Sequence, residues 1–97
     1  MLTPKFDMDG YPTDETLETI RKWPVTCIED CEQLLKYCSK CWKYHKYTYK
    51  EDEYYIFHIG GWSGNENVIE AMEENRAFWA IAWYGSARGG HYSFKLN

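Results

Sequence analysis

Two short stretches carry the residues best suited to hold a ligand or a partner. One is Gly60-Gly61-Trp62-Ser63-Gly64-Asn65-Glu66, and the other is Arg88-Gly89-Gly90-His91. Glycines let a backbone turn sharply and leave amide hydrogens pointing outward, which makes a concave site for an anion. Arg88 would add a permanent, bidentate positive charge. His91 would bond the same group, or act as acid or base near neutrality. The plainer reading is that the glycines serve turn geometry, while Ser63 and Glu66 form a capping box on a following helix. That box would use two of the free amides, and Glu66 would repel an anion.

The four cysteines offer a second chemistry. Cys38-x-x-Cys41 followed by His45 resembles half of a zinc site, with Cys27 and Cys31 as further thiols. On one helix, however, Cys27 and Cys41 would stand about 21 Å apart at 1.5 Å per residue. A site would need a break in the helix, or Cys38, Cys41 and His45 joined by a remote His58 or His91. Redox chemistry at Cys38 and Cys41 is disfavoured by their place in the last turns of a helix, where the dipole opposes a thiolate. Buried thiols also serve simply as small apolar core residues. No metal and no cofactor is therefore expected.

A third chemistry is suggested by Lys36-Tyr37, Lys40, Trp42-Lys43-Tyr44, Lys46-Tyr47 and Tyr49-Lys50. Lysines neutralise phosphates and flat rings stack on bases, so the block could face nucleic acid. It contains no arginine and matches no nucleic-acid motif. A solvated face, its lysines paired with Glu51, Asp52 and Glu53, is the plainer alternative. No GxSxG elbow, P-loop or HExxH occurs. His58 and His91 could lie on neighbouring strands with Ser63 or a thiol between them, but binding is favoured over catalysis.

The elements that must position these residues follow from local signals. Thr13 reads as an N-cap before a helix over 14–22, with Asp14 and Glu15 in its first turn and Leu17 and Ile20 on its inner face. Pro24 restricts Trp23 and ends that helix. Thr26 is a second N-cap candidate, for a helix from about Cys27 to Trp42. On it Cys27, Cys31, Leu34, Cys38 and Cys41 form one stripe, opposite Lys36, Lys40 and Lys43. Residues 44–49 read as a short strand or an extended link. Residues 54–60 read as a strand, and 64–74 as a helix burying Val68, Ile69 and Met72. Asn75 is placed to close that helix in a left-handed conformation. The run from Phe78 to Tyr84 reads as a central strand, 85–90 as a turn, and His91–Leu96 as a final strand.

The order α-α-β-α-β-β describes a small α+β domain: a three- to four-stranded, mainly antiparallel sheet with about three helices on one face. The 97 residues make one domain, with 1–12 as a lead-in arm. Apolar and aromatic types make up 44% of the chain, enough to close a core at this size. No run of eighteen apolar residues is present, so no membrane span is expected. The N-terminus lacks the apolar stretch of a signal peptide, which makes a reducing cytoplasm the default location. The net charge of −4 is segregated: 35–50 holds five lysines and no acid, whereas 51–75 holds seven acids and no base. Such blocks create patches of opposite sign if the fold keeps them apart.

The C-terminal half resembles a set of small uncharacterised proteins of bacteriophages and prophages. The matching segments are Gly60-Gly61-Trp62-Ser63-Gly64-Asn65-Glu66, Phe78-Trp79 and Arg88-Gly89-Gly90-His91-Tyr92, with a weaker match at Gly10-Tyr11-Pro12-Thr13, Leu17 and Ile20. The resemblance implies a phage or bacterial origin and a role inside the host cell; it supplies no activity. The resulting expectation is a non-catalytic module that engages a host protein through the glycine-rich turn, Trp62, Arg88 and His91. The alternatives are a small enzyme or an anion or nucleotide binder using the same pocket, or nucleic-acid binding through 36–50. All but the last require the two glycine-bearing bends to meet at one rim of the sheet. Trp62, framed by glycines, is the expected exposed anchor.

Overall fold

The computed structural model describes residues 3–96. Four α-helices and four strands are present among them: α1 (Asp14–Arg21), α2 (Ile28–Cys41), β1 (Thr48–Glu51), β2 (Tyr54–His58), α3 (Ser63–Glu74), α4 (Arg76–Ala82), β3 (Trp83–Ala87) and β4 (His91–Lys95). A 3-10 turn at His45–Tyr47 leads into β1. The strands form one antiparallel sheet in the order β1-β2-β4-β3. The fold is α+β, with two helices and a hairpin followed by two helices and a second hairpin. The expected order α-α-β-α-β-β is corrected accordingly, and so is the expected count of about three helices.

Alternation along the strands separates two faces. Tyr55, Phe57 and Ile59 from β2 and its extension point inward, with Tyr92, Phe94 and Leu96 on the neighbouring strand. They meet Leu17, Ile20, Leu34, Leu35, Val68, Met72 and Phe78 from the helices. Tyr49, Ile56, His58, His91 and Ser93 lie on the other face, where Tyr49 and His91 are exposed and the other three half-buried. Among the described residues no helix is long and apolar enough to cross a membrane.

Thr13 caps α1 by accepting a hydrogen bond from the Thr16 amide, as its type and position predict. The inner stripe of α2 buries Cys31, Leu34, Cys38 and Cys41. Cys27 departs from that stripe: it is the N-cap and is exposed. Thr26 therefore is not the cap. Its amide and hydroxyl both donate to Asp30 Oδ2, at 2.7 and 2.6 Å, so the carboxylate reaches back from the first turn. Those bonds, the Thr26 hydroxyl first, hold the Asp30 carboxyl below its usual range.

The run from Phe78 is the largest departure from expectation. It is helical as far as Ala82, and only Trp83 and Tyr84 join the sheet, as the start of β3. A short run that is apolar on all sides fits a buried helix as well as a central strand. Asn75 decides the matter. Its Oδ1 accepts from the Phe78 amide at 3.2 Å, while its Nδ2 donates to the carbonyls of Ile20 and Trp23. Asn75 thus ends α3 and starts α4 at φ −81°, not in the left-handed region expected of it. Gly85, Ser86 and Ala87 belong to β3, which shortens the expected 85–90 turn to 88–90.

The capping box at Ser63 is also absent. Trp62 is the N-cap of α3 and Ser63 is its first residue, with no side-chain cap bond. Ser63 Oγ instead shares a hydrogen bond with Tyr11 Oη at 2.9 Å. Tyr11 belongs to a loop closed by a Phe6–Pro12 bridge and tied to α1, where the Lys5 amide donates to Thr16 Oγ1.

Candidate functional site

β2 and β4 run antiparallel with His58 opposite His91. One step further the Ile59 amide donates to the Gly90 carbonyl at 2.9 Å. Gly60 and Gly61 leave β2 at the same rim where Gly89 and Gly90 enter β4, so the two glycine-bearing bends do meet. Glycine is required at two of these positions on two grounds. Gly60 has φ +67° and a Cβ there would stand 2.5 Å from the Tyr47 ring; Gly90 has φ +77° and a Cβ there would press on Ile59 at 3.0 Å.

The candidate residues divide sharply at that rim. Gly60, Gly61, Ser63, Arg88, Gly89 and His91 are exposed, and Gly90 is half-buried. Gly64 and Asn65 are buried and offer nothing to a partner. Trp62 is not the exposed anchor expected of it. Its ring is half-buried and lies across Gly64, where a Cβ would collide with it. It packs on Tyr11 with ring centroids 4.9 Å apart, and Lys43 Nζ sits 4.9 Å from its centre. The indole thus faces the N-terminal loop, and among the described residues no hydrogen bond or ring contact joins it to Arg88.

Two features of the site escaped sequence reading. The first is a groove of about 230 Å³ beside the rim, lined by Ile59, Ile69, Tyr92, Glu66, Glu70 and Glu73. Helical spacing puts the three glutamates along one side of α3, a pattern visible in the sequence; only the fold shows that this side borders the bends. The second is the extent of a polar row: His58 and His91 lie on neighbouring strands, as the sequence allowed, and Tyr49 on a third strand extends the row, which it did not show. Tyr49 Oη and His58 Nε2 are 3.1 Å apart, and His58 Nδ1 is hydrogen-bonded to His91 Nδ1. Burial, reinforced by the neighbouring His91, holds His58 below the usual imidazole range. Ser63 does not lie between the histidines; it is bonded to Tyr11.

The cysteine chemistry has no geometric support. Cys31, Cys38 and Cys41 are fully buried, and among the described residues no three His, Cys, Asp or Glu side chains converge on a point. Burial pushes the Cys38 thiol well above its ordinary value and the Cys41 thiol up to about 12. Neutral thiols of this kind are neither good ligands nor good nucleophiles. The side chain of His45 lies outside what the structure describes.

The lysine-aromatic block is divided by the fold. Tyr37 and Trp42 are buried in the core, where the Trp42 indole N–H donates to the His58 carbonyl at 2.8 Å. Among the described residues, the ion pairs found for Lys36 and Glu53 are not those expected between the lysines and 51–53. Lys36 pairs with Glu32, and Glu53 pairs with Lys95. Lys43, Lys46 and Lys50 rest over the rings of Trp62, Tyr47 and Tyr55. Comparison with family models, with curated proteins and with solved structures finds no match to this chain.

Proposed function

We propose that the protein is a non-catalytic binding module that engages another protein at the rim where Gly60-Gly61 and Gly89-Gly90 meet. The observation that carries this reading is the Ile59–Gly90 hydrogen bond, which brings the two bends together beside an open groove. Arg88 is exposed there and has no ion-pair partner among the described residues, which suits a charged contact at an interface. A small enzyme or nucleotide binder at the same place is less well supported. The adjoining groove carries Glu66, Glu70 and Glu73, whose charge opposes an anion. Nucleic-acid binding loses two of its rings, Tyr37 and Trp42, to the core. The resemblance of the C-terminal segments to small phage proteins supports a partner in the cytoplasm of a bacterial host.

The test is capture from bacterial lysate with wild-type protein, Arg88→Glu and a distant control, Lys22→Glu. The partner should be retained by the wild type and the control and lost with Arg88→Glu. Thermal melting of Arg88→Ala should match the wild type, because the side chain is exposed and makes no ion pair among the described residues. Identical capture by all three proteins would remove the rim from consideration.

A further inference from the structure

We propose that His58 and His91 form a two-histidine chelate for a late first-row divalent cation such as Zn²⁺, with Tyr49 orienting His58 from behind. The sheet register makes the pair. His58 and His91 are direct cross-strand partners, and the next pair along, Ile59 with Gly90, is the hydrogen-bonded one. His58 and His91 therefore occupy a non-hydrogen-bonded position, where opposed side chains approach most closely. Their ring centres are 4.4 Å apart with planes at 80°, and the two Nδ1 atoms face each other.

Metal-binding imidazoles are usually fixed by a hydrogen bond from the other ring nitrogen. Tyr49 supplies it. With Nε2–H of His58 donating to Tyr49 Oη, the Nδ1 lone pair of His58 points at His91. In the metal-free pair His91 Nδ1 must carry the proton between the rings. On chelation that proton moves to His91 Nε2, which lies on the open side of the ring near Gly89. Both Nδ1 lone pairs then face the ion, and no net proton is released.

His91 is exposed and His58 half-buried on the same face of the sheet, so an ion can reach the pair from solvent. No third His, Cys, Asp or Glu converges on the pair among the described residues, so water would complete the shell. An imidazole pair suits Zn²⁺, Cu²⁺ and Ni²⁺ and not the oxygen-seeking Mg²⁺ or Ca²⁺.

The experiment is calorimetric titration of Zn²⁺ into Cys27→Ser protein, which lacks the exposed thiol that would compete. Serine is also a good N-cap, so this background should fold. One ion per chain is expected, with NMR shifts at the His58 and His91 rings. His58→Ala and His91→Ala should each weaken binding at least about ten-fold, and Tyr49→Phe about ten-fold. Circular dichroism checks each fold, and His91→Ala decides alone if His58→Ala unfolds, since the His91 ring is exposed. No uptake by the Cys27→Ser protein would overturn the proposal. So would uptake that survives His91→Ala at full strength.

Discussion

Asn65 holds the backbone of Lys43 with both ends of its amide. Its Oδ1 accepts from the Lys43 amide at 3.0 Å, and its Nδ2 donates to the Lys43 carbonyl at 3.3 Å. The same Nδ2 donates to the Ile59 carbonyl at 2.9 Å. One buried side chain on α3 thereby ties the exit of α2 to the end of β2, just before Gly60. Asn65→Leu would leave three backbone groups without partners. Only the bond to Ile59 is buried, and Lys43 itself is exposed; a stranded buried group costs about 1–3 kcal/mol, so a loss of about 1–3 kcal/mol is expected. Chemical denaturation of the two proteins measures it, and a change within error would mean that water replaces the clasp.

Gly60→Ala should be destabilising despite the small size of the change. The backbone there has φ +67°, and the added methyl would strike the Tyr47 ring. The strain alone costs about 1–3 kcal/mol, and displacing Tyr47 adds to it. Gly61→Ala is the comparison. It shares the positive φ at +77° but meets no neighbour within 4 Å, so it should cost less. Equal melting temperatures for the two variants would contradict the close packing of Tyr47.

The thiols should separate cleanly by reactivity. Cys27 is exposed, whereas Cys31, Cys38 and Cys41 are buried. A thiol reagent should modify one cysteine per folded chain and all four after denaturation. Mass spectrometry should place the first adduct on Cys27. Rapid native labelling of Cys38 or Cys41 would show that α2 opens readily.

Stability should fall in alkali. Burial raises the pKa of Cys31 and Cys38, and that of Cys41 from 9.0 to about 12. Unfolded thiols ionise near 9, while the folded ones keep their protons, so the unfolded state binds fewer protons above that pH. The contribution is fully present below pH 9 and is lost as pH rises towards 12. Urea midpoints at about pH 8 and about pH 10.5 should show the fall, and Cys41→Ala should make it shallower. A flat profile would mean that water already reaches the thiols.

Several elements were legible because their signals are local. Thr13 followed by Asp14 and Glu15 marks the start of α1, and the stripe of Cys31, Leu34, Cys38 and Cys41 marks the inner face of α2. The rim itself could be anticipated, since glycines directly follow one strand and precede another. The stretch from Phe78 to Ala82 was not legible, because an all-apolar run has no period that distinguishes helix from strand. The Asn75 cap that settles it also bonds Ile20 and Trp23, more than fifty residues earlier in the chain. The inward settings of Trp62 and Asn65 are not legible for a related reason: their partners Tyr11, Lys43 and Ile59 lie in other segments.

The order of residues by itself determined which faces are apolar, where α1 begins, and where the backbone has to bend at glycine, since each depends on neighbours within a turn or two. Tertiary packing alone decided that His58 meets His91, that Asn65 goes inward, and that the Trp62 indole covers Gly64. Those outcomes depend on which polar groups must find partners once water is excluded, and the partners come from segments that only the fold brings together.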